Sequence, residues 1–325
     1  MNIAIVGCGF IGQKRAKYLG RHRLVIVADL IPEKAQTLAC SIPGTLIASS
    51  WEEAVRHSDV EVVIIATTHN QLSTVTMAAI KAGKHVLVDK PAGCSAEELD
   101  HVISTTQKFQ KKVRVGFNHR YHPALQKAYE IVQSGALGPL YYVRGRYGHG
   151  GRPGYEKEWR ADPEVGCGGE LLDQGMHLID LSRWFLGDFV QSTGFVHTYY
   201  WDMPVEDNGF LMLKTQKEQV AWLHVSWTEW KNIFSFEIYG KEGKLQIDGL
   251  GGSYGVEQLT FYKMLPQMGP PETMIWQYPG EDLSWKKEFE EFIQDIESNK
   301  SPRPGLEDAR EALRIIRHIY EGNGK

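Results

Sequence analysis

The feature that most restricts this chain is its first dozen residues. A short apolar run, NIAIV, stops at three glycines, Gly7, Gly9 and Gly12, spaced G-x-G-x-x-G. A strand that must turn at once into a helix needs this spacing. Gly7 allows the tight turn, Gly9 lets a phosphate approach the backbone, and Gly12 lets the helix pack closely on the strand. Short unalternating β-branched runs recur at LVIVAD, VEVVIIAT, HVLVD and KVRVGFN, as expected of parallel strands buried on both faces. Helical stretches lie between them, one opened by a Ser95/Glu98 capping box. Alternation of this kind predicts a doubly wound parallel sheet of the Rossmann type with right-handed crossovers.

The texture changes after Asn118. A helix over about 122–134 stops at Gly135, and YYVRGRY, a long loop and a second helix follow. VQSTGFVHTYY, GFLMLKT, VAWLHVSW, FSFEIYG, KLQIDG and VEQLTFYK then read as consecutive, mostly antiparallel strands. Two helices close the chain near 285–298 and 306–321. The expectation is two domains, 1–120 binding a dinucleotide and 121–325 an α/β domain for substrate and oligomer contacts. A length of 325 residues accommodates both.

A net charge of −4 without a block of like charges argues against nucleic-acid or membrane-surface partners. No apolar run reaches membrane-spanning length, and the N-terminus lacks the basic lead of a signal peptide. Cys8, Cys40, Cys94 and Cys167 form no CxxC pair and read as reduced thiols of a cytoplasmic protein. No metal site is expected.

The cofactor expected in the first domain is NAD. Gly7, Gly9, Phe10, Ile11 and Gly12 would hold its pyrophosphate. Asp29, ending the second strand, would accept hydrogen bonds from the adenosine ribose. Leu30, Ile31 and Pro32 follow with no cation, so the 2′-phosphate of NADP would meet a bare carboxylate. Lys14 and Arg15 sit on the first helix and are the alternative partners of such a phosphate; they read as a solvated face. The polar loop Thr67-Thr68-His69-Asn70 follows VEVVIIAT and should line the cofactor, because ligands of open α/β sheets bind beyond the strand carboxyl ends. Asp89-Lys90-Pro91 ends HVLVD at the same edge.

Beyond the sheet, VGCGGELLDQGMHLIDL (165–181) runs three glycines into an apolar-periodic helix that would stack Asp173 and His177 on one face, about a turn apart. A lone Asp/His pair of this kind is ordinarily surface or packing. With GCGFIG, AGKHVLVDKPAG (82–93) and this helix in order, the chain resembles the Gfo/Idh/MocA family along its whole length. The resemblance implies a Rossmann domain followed by a domain on an open, mostly antiparallel sheet. It also implies NAD(P)-dependent oxidation of a hydroxyl, or reduction of a ketone, on a sugar or cyclitol. Lys90 then matches the catalytic lysine, and Asp173 and His177 its partners. Asn118, Arg120 and Tyr121 match residues that place cofactor and substrate, and Trp159-Arg160 a pair near the nicotinamide. His149 and Arg152, in the glycine-rich loop between, are candidates for a polyhydroxylated or anionic substrate; the alternative is a loop whose charges face water. Three residues depart from the family: Asp89 for the usual glutamate, Cys167 within the glycine run, and Leu72 for a common histidine.

Some relatives oxidise a sugar carbon only transiently and eliminate a substituent, so an NAD-recycling glycosidase or lyase is the alternative activity. A non-catalytic dinucleotide-binding regulator is the alternative from another class, and such a protein has no use for Lys90, Asp173 and His177 together. In VAWLHVSW, Trp222 and Trp227 fall on opposite faces. Family members pair through this sheet, so a homodimer or homotetramer is expected with Trp222 or Trp227 buried between subunits.

Overall fold

The computed structural model describes residues 1–267 and 269–324. Its first sheet has six strands: β1 (Asn2–Val6), β2 (Arg23–Ala28), β3 (Leu46–Ile47), β4 (Val62–Ile65), β5 (His85–Asp89) and β6 (Val113–Gly116). All pair in parallel, in the order β3-β2-β1-β4-β5-β6. Strand order reverses between β1 and β4, and a crevice for a ligand opens beyond the carboxyl ends of such a pair. Ile3, Ile5, Val62, Ile64 and Leu87 are fully buried, which explains why these runs do not alternate. The two-residue β3 carries no run long enough to be read from sequence.

The second sheet has eight strands: β7 (Leu140–Gly148), β8 (Phe189–His197), β9 (Asn208–Thr215), β10 (Val220–Ser226), β11 (Ile233–Gly240), β12 (Gly243–Asp248), β13 (Glu257–Lys263) and β14 (Glu272–Tyr278). Their order is β14-β13-β12-β11-β7-β10-β9-β8. Only β7 and β10 run parallel; the other pairs are antiparallel. The edge strand β14 lies beyond the expected set. Along β10, Ala221, Leu223 and Val225 are buried, while Trp222 on the opposite face is 52% exposed. The helix Gly175–Leu186 packs on β7 and β10 and buries residues on nearly every side.

The chain divides into two compact units that are not contiguous in sequence. The first comprises 1–117, 164–167 and 285–314; the second comprises 118–163, 168–284 and 315–325. The helix near 285 joins the first unit through its apolar side. Phe289, Phe292 and Ile293 are buried in one cluster with Ile3, Ile5, Leu24, Val62 and Leu87. No helix among the described residues is long and apolar enough to cross a membrane.

Three expectations need correction. Arg15 is not on a solvated helix face: it is 3% exposed and paired with Glu288 at 2.8 Å and Asp89 at 3.4 Å. A guanidinium can be buried only with such partners. Trp227 is fully buried within the chain, against Tyr155 and His149, so of the two tryptophans only Trp222 is available to a partner. Cys94 and Cys167 are joined by a disulfide, with Cα atoms 5.5 Å apart, whereas Cys8 and Cys40 are free. Sequence spacing gave no sign of that pair because 73 residues separate its members.

Candidate active site

In the first unit the turn after β1 is built as its glycines require. Gly7 has φ +93°, and a Cβ there would lie 2.3 Å from the Ala66 carbonyl oxygen in the loop after β4. A Cβ on Gly12 would meet the Gly7 carbonyl oxygen at 1.9 Å. A Cβ on Gly9 would meet nothing within 4 Å, so the backbone there faces open space. The helix Phe10–Ala16 begins at Gly9 with no side-chain cap, and the Phe10 side chain is exposed. Backbone donors, an open face and no competing side chain suit a pyrophosphate. Asp29, just past β2, accepts from the Cys8 N–H at 2.6 Å and from the Ile31 N–H at 2.8 Å, so its carboxylate is fixed at the turn. Burial, with the Asp29 charge beside it, pushes the Cys8 thiol up to about 12 and keeps it protonated.

The loop after β4 leads into the helix His69–Lys81. Thr68 precedes it and donates to the Asn70 side-chain oxygen at 2.9 Å, while His69 Nδ1 lies 2.8 Å from the Gly166 carbonyl oxygen. Asp89 ends β5 and is held by Arg15, for which Gly116 on β6 leaves room: a Cβ there would sit 2.4 Å from the guanidinium. Lys90 follows directly and is half-buried at the carboxyl edge of the sheet.

In the second unit Asn118, Arg120 and Tyr121 lie on one buried 3-10 turn. Asn118 donates to the Ser284 hydroxyl at 3.0 Å. Arg120 forms a two-pronged pair with Asp180, at 2.8 and 2.6 Å, and its guanidinium lies 5.7 Å from the centre of the Trp184 ring. The helix expected to carry both Asp173 and His177 is interrupted. Asp173 ends a single turn, Glu170–Asp173, and His177 lies in the next helix, Gly175–Leu186. The His177 N–H bonds to Gln174 rather than to Asp173, so the last turn tightens at the junction. Both side chains are buried. Asp173 accepts from Arg160 Nε at 2.9 Å. Burial opposes the charge on Arg160, but Asp173 more than compensates and raises its pKa. Arg160 also lies 4.4 Å from the Trp159 ring centre.

His149 is half-buried, accepts from the Gly151 N–H at 2.9 Å and sits edge-on to Tyr155. Burial lowers its pKa, although the Asp173 carboxylate pulls the other way, so it is neutral at neutral pH. Arg152 is 69% exposed and pairs with Glu158 at 2.5 Å, on the solvent side of the loop.

The most informative neighbour was not singled out from sequence. His119 stacks on His177 with ring centres 3.7 Å apart and planes at 22°. Tyr147 lies edge-on to both rings and is hydrogen-bonded to Tyr254, which also bonds Gln174. Burial raises the pKa of both tyrosines, so they stay neutral phenols. His119 sits in the quoted Asn118-His119-Arg120-Tyr121 segment, but only contact with His177 marks it out. Tyr147 and Tyr254 come from distant strands and loops and carry no local signal.

A parallel sheet in the order 3-2-1-4-5-6, a glycine turn at its switch point and a carboxylate after β2 define a dinucleotide-binding protein of the Rossmann class. Residues 1–117 match the model of the oxidoreductase family with an NAD-binding Rossmann fold, and residues 125–246 match the GFO/IDH/MocA C-terminal domain. The chain belongs to this GFO/IDH/MocA oxidoreductase family. D-glucoside 3-dehydrogenase of Escherichia coli K12 is 25% identical over 99% of this chain and 95% of its own length. Inositol 2-dehydrogenase 2 of Saccharopolyspora erythraea is 24% identical over 92% and 83%. Levoglucosan dehydrogenase of Pseudarthrobacter phenanthrenivorans is 25% identical over 64% of this chain, and the match spans 57% of that enzyme. A solved levoglucosan dehydrogenase in complex with NADH and L-sorbose shares the fold, with a TM-score of 0.89 at 22% identity over 100% of this chain and 97% of that one.

Proposed function

We propose that the protein is an NAD-dependent dehydrogenase that oxidises a secondary hydroxyl of a sugar or cyclitol, or reduces the corresponding ketone. The observation that carries this reading is the buried Asp173 held by the half-buried Arg160, followed by the stacked His177–His119 rings. Burying a carboxylate and two imidazoles is costly for a fold with no polar ligand to meet. Family membership and relatives that act on glucosides, inositols and levoglucosan support the substrate class.

NAD, when bound, supplies the hydride acceptor. The chain's own residues then have distinct roles in the proposal. The turn at Gly7, Gly9, Phe10, Ile11 and Gly12 holds the pyrophosphate and Asp29 the adenosine ribose. Thr67, Thr68, His69, Asn70, Asp89 and Asn118 line the rest of the cofactor, with Trp159 and Arg160 toward the nicotinamide. His177 takes the hydroxyl proton, since a neutral imidazole is a suitable base near neutral pH. Lys90 hydrogen-bonds the same oxygen and stabilises the negative charge developing on it. Asp173, aligned by Arg160, orients substrate and offsets the added positive charge. Arg120 acts through its Asp180 pair as a positioning residue beside Tyr121. His149 contacts the distal hydroxyls, while Arg152, exposed and paired with Glu158, fits the alternative of a loop charge that faces water.

Assembly through the exposed face of the second sheet belongs to the same reading. Phe195, Met212 and Trp222 are exposed there on neighbouring strands, and a patch of that kind is usually covered. The reading is of a homodimer or homotetramer, cytoplasmic because it draws on the cell's NAD pool. The deciding experiment screens NADH formation across free, phosphorylated and nucleotide-linked sugars and inositols. Net NADH from at least one supports a dehydrogenase. Release of an aglycone with no net NADH would replace it with a cofactor-recycling lyase.

A further inference from the structure

Two of the chain's four cysteines, Cys94 and Cys167, are joined in the fold, and the proposed chemistry uses neither. Cys94 lies four residues beyond Lys90, in the loop after β5. Cys167 ends the segment Glu164–Cys167, which belongs to the first unit, and the next residue, Gly168, begins the stretch of the second unit that leads to Asp173 and His177. The Cys94–Cys167 disulfide therefore fixes the chain at the point where it passes from one unit to the other. A Cα separation of 5.5 Å is ordinary for a disulfide, so the backbone carries the bond without rearrangement.

The surroundings distinguish this pair from the other thiols. Cys94 and Cys167 are both half-buried, within reach of a small reagent. The Cys94 N–H donates to Glu98 Oε2 at 3.1 Å, so its loop stays anchored whether or not the bond is present. The Gly166 carbonyl lies 2.8 Å from His69 Nδ1, a second tether on the 164–167 segment. Cys8, by contrast, is fully buried with its thiol pushed up to about 12, and Cys40 lies on an exposed helix face.

We propose that Cys94 and Cys167 form a reversible dithiol–disulfide site, exchanging with low-molecular-weight thiols, that anchors the glycine segment when oxidised and releases it when reduced. Two glutathione thiols reduce it: the first thiolate attacks one cysteine sulfur, the S–S bond breaks and a mixed disulfide forms. The second attacks that mixed disulfide. Two electrons and two protons pass to the cysteines, and glutathione disulfide leaves. Oxidation is the reverse. In a reducing compartment a disulfide of this kind is a sensor rather than a permanent staple. Its consequence for turnover rests on the roles proposed above for Asp173 and His177; the exchange chemistry does not.

The test equilibrates the full chain, with NADH present, in glutathione buffers of graded ratio. Samples are acid-quenched, alkylated and counted by mass spectrometry. Two alkylated cysteines are expected at the oxidised end and four at the reduced end, with a Cys94–Cys167 peptide that appears and disappears reversibly. Amides of residues 164–169 should exchange faster in the reduced form, and Cys94→Ser should show that fast pattern in every buffer. On a sugar found by the NADH screen, reduction should lower turnover about tenfold, the scale of a slightly misplaced catalytic group, with NADH affinity unchanged. Four reactive thiols at every ratio would overturn the proposal, as would a disulfide that glutathione never opens in the folded protein. Unchanged exchange at 164–169 would overturn the anchoring role. The wild-type arms need no substitution, so they decide the matter even if Cys94→Ser fails to fold and if the screen finds no substrate.

Discussion

Asp29→Asn removes one charge from the cofactor half without changing its shape. The carboxylate is half-buried at the end of β2, with one oxygen on the Cys8 N–H and the other on the Ile31 N–H. A 2′-phosphate carries about −1.5 to −2 charges at neutral pH. At about 5 Å and an effective dielectric of about 40, its repulsion from Asp29 is about 2–3 kcal/mol. Water at this half-exposed site reduces that figure, so at least about 1.4 kcal/mol remains, a tenfold preference for NADH over NADPH. Arg15 is committed to Glu288 and Asp89, and Lys14 lies over the Trp285 ring at 4.7 Å, so both first-helix cations are engaged elsewhere. The substitution removes the repulsion and also weakens a charged acceptor for the ribose by about 1 kcal/mol. The NADH/NADPH preference should therefore fall by about 30- to 100-fold. Its amide cannot accept from both backbone N–H groups, so a stability loss of about 1–3 kcal/mol accompanies the change. Titrating both reduced cofactors by fluorescence against wild type and variant measures the ratio without a substrate. Equal affinities in the wild type, or a ratio that Asp29→Asn leaves untouched, would refute the assignment.

Lys90→Ala and His177→Ala should each lower turnover by about 10²-fold or more while NADH affinity changes little; wild-type turnover in His177→Ala would make the buried pair structural. Arg15→Met strands Glu288, which is fully buried, and should cost about 3–5 kcal/mol in denaturant unfolding, with Glu288→Gln restoring much of it. Trp222→Glu should leave the fold intact by circular dichroism and shift the protein to monomer by light scattering; a wild type that is monomeric at every concentration contradicts the proposed interface. Burial opposes the charge on Glu237, but Arg144 and Lys244 hold its pKa down to about 2 from its ordinary 4.5. The carboxylate therefore contributes stability above pH 4.5 that is lost as pH falls toward 2, and Glu237→Gln should flatten that acid limb.

The sequence by itself determined the parallel sheet, its glycine turn and the residue types of the site. Each of those signals is local: a β-branched run, a G-x-G-x-x-G spacing, a lysine directly after a strand. Steric and hydrogen-bonding rules act over a few residues, so they are written in a few residues. What the tertiary structure decided involves residues far apart along the chain. Arg15 has the look of a surface helix cation until Glu288, 273 residues on, closes over it. His119 is one more polar residue after a strand until it stacks on His177. Trp227 continues the alternation of the buried Ala221, Leu223 and Val225, but only the fold shows that Tyr155, Ala161, Met203 and Val205 close over it within the chain. Cys94 and Cys167 are unremarkable singly, and only the folded chain brings their Cα atoms to 5.5 Å. A carboxylate partner, a ring face or a second sulfur reached through the fold leaves no periodicity behind, because the contact energy depends on distance in space and not on separation in sequence.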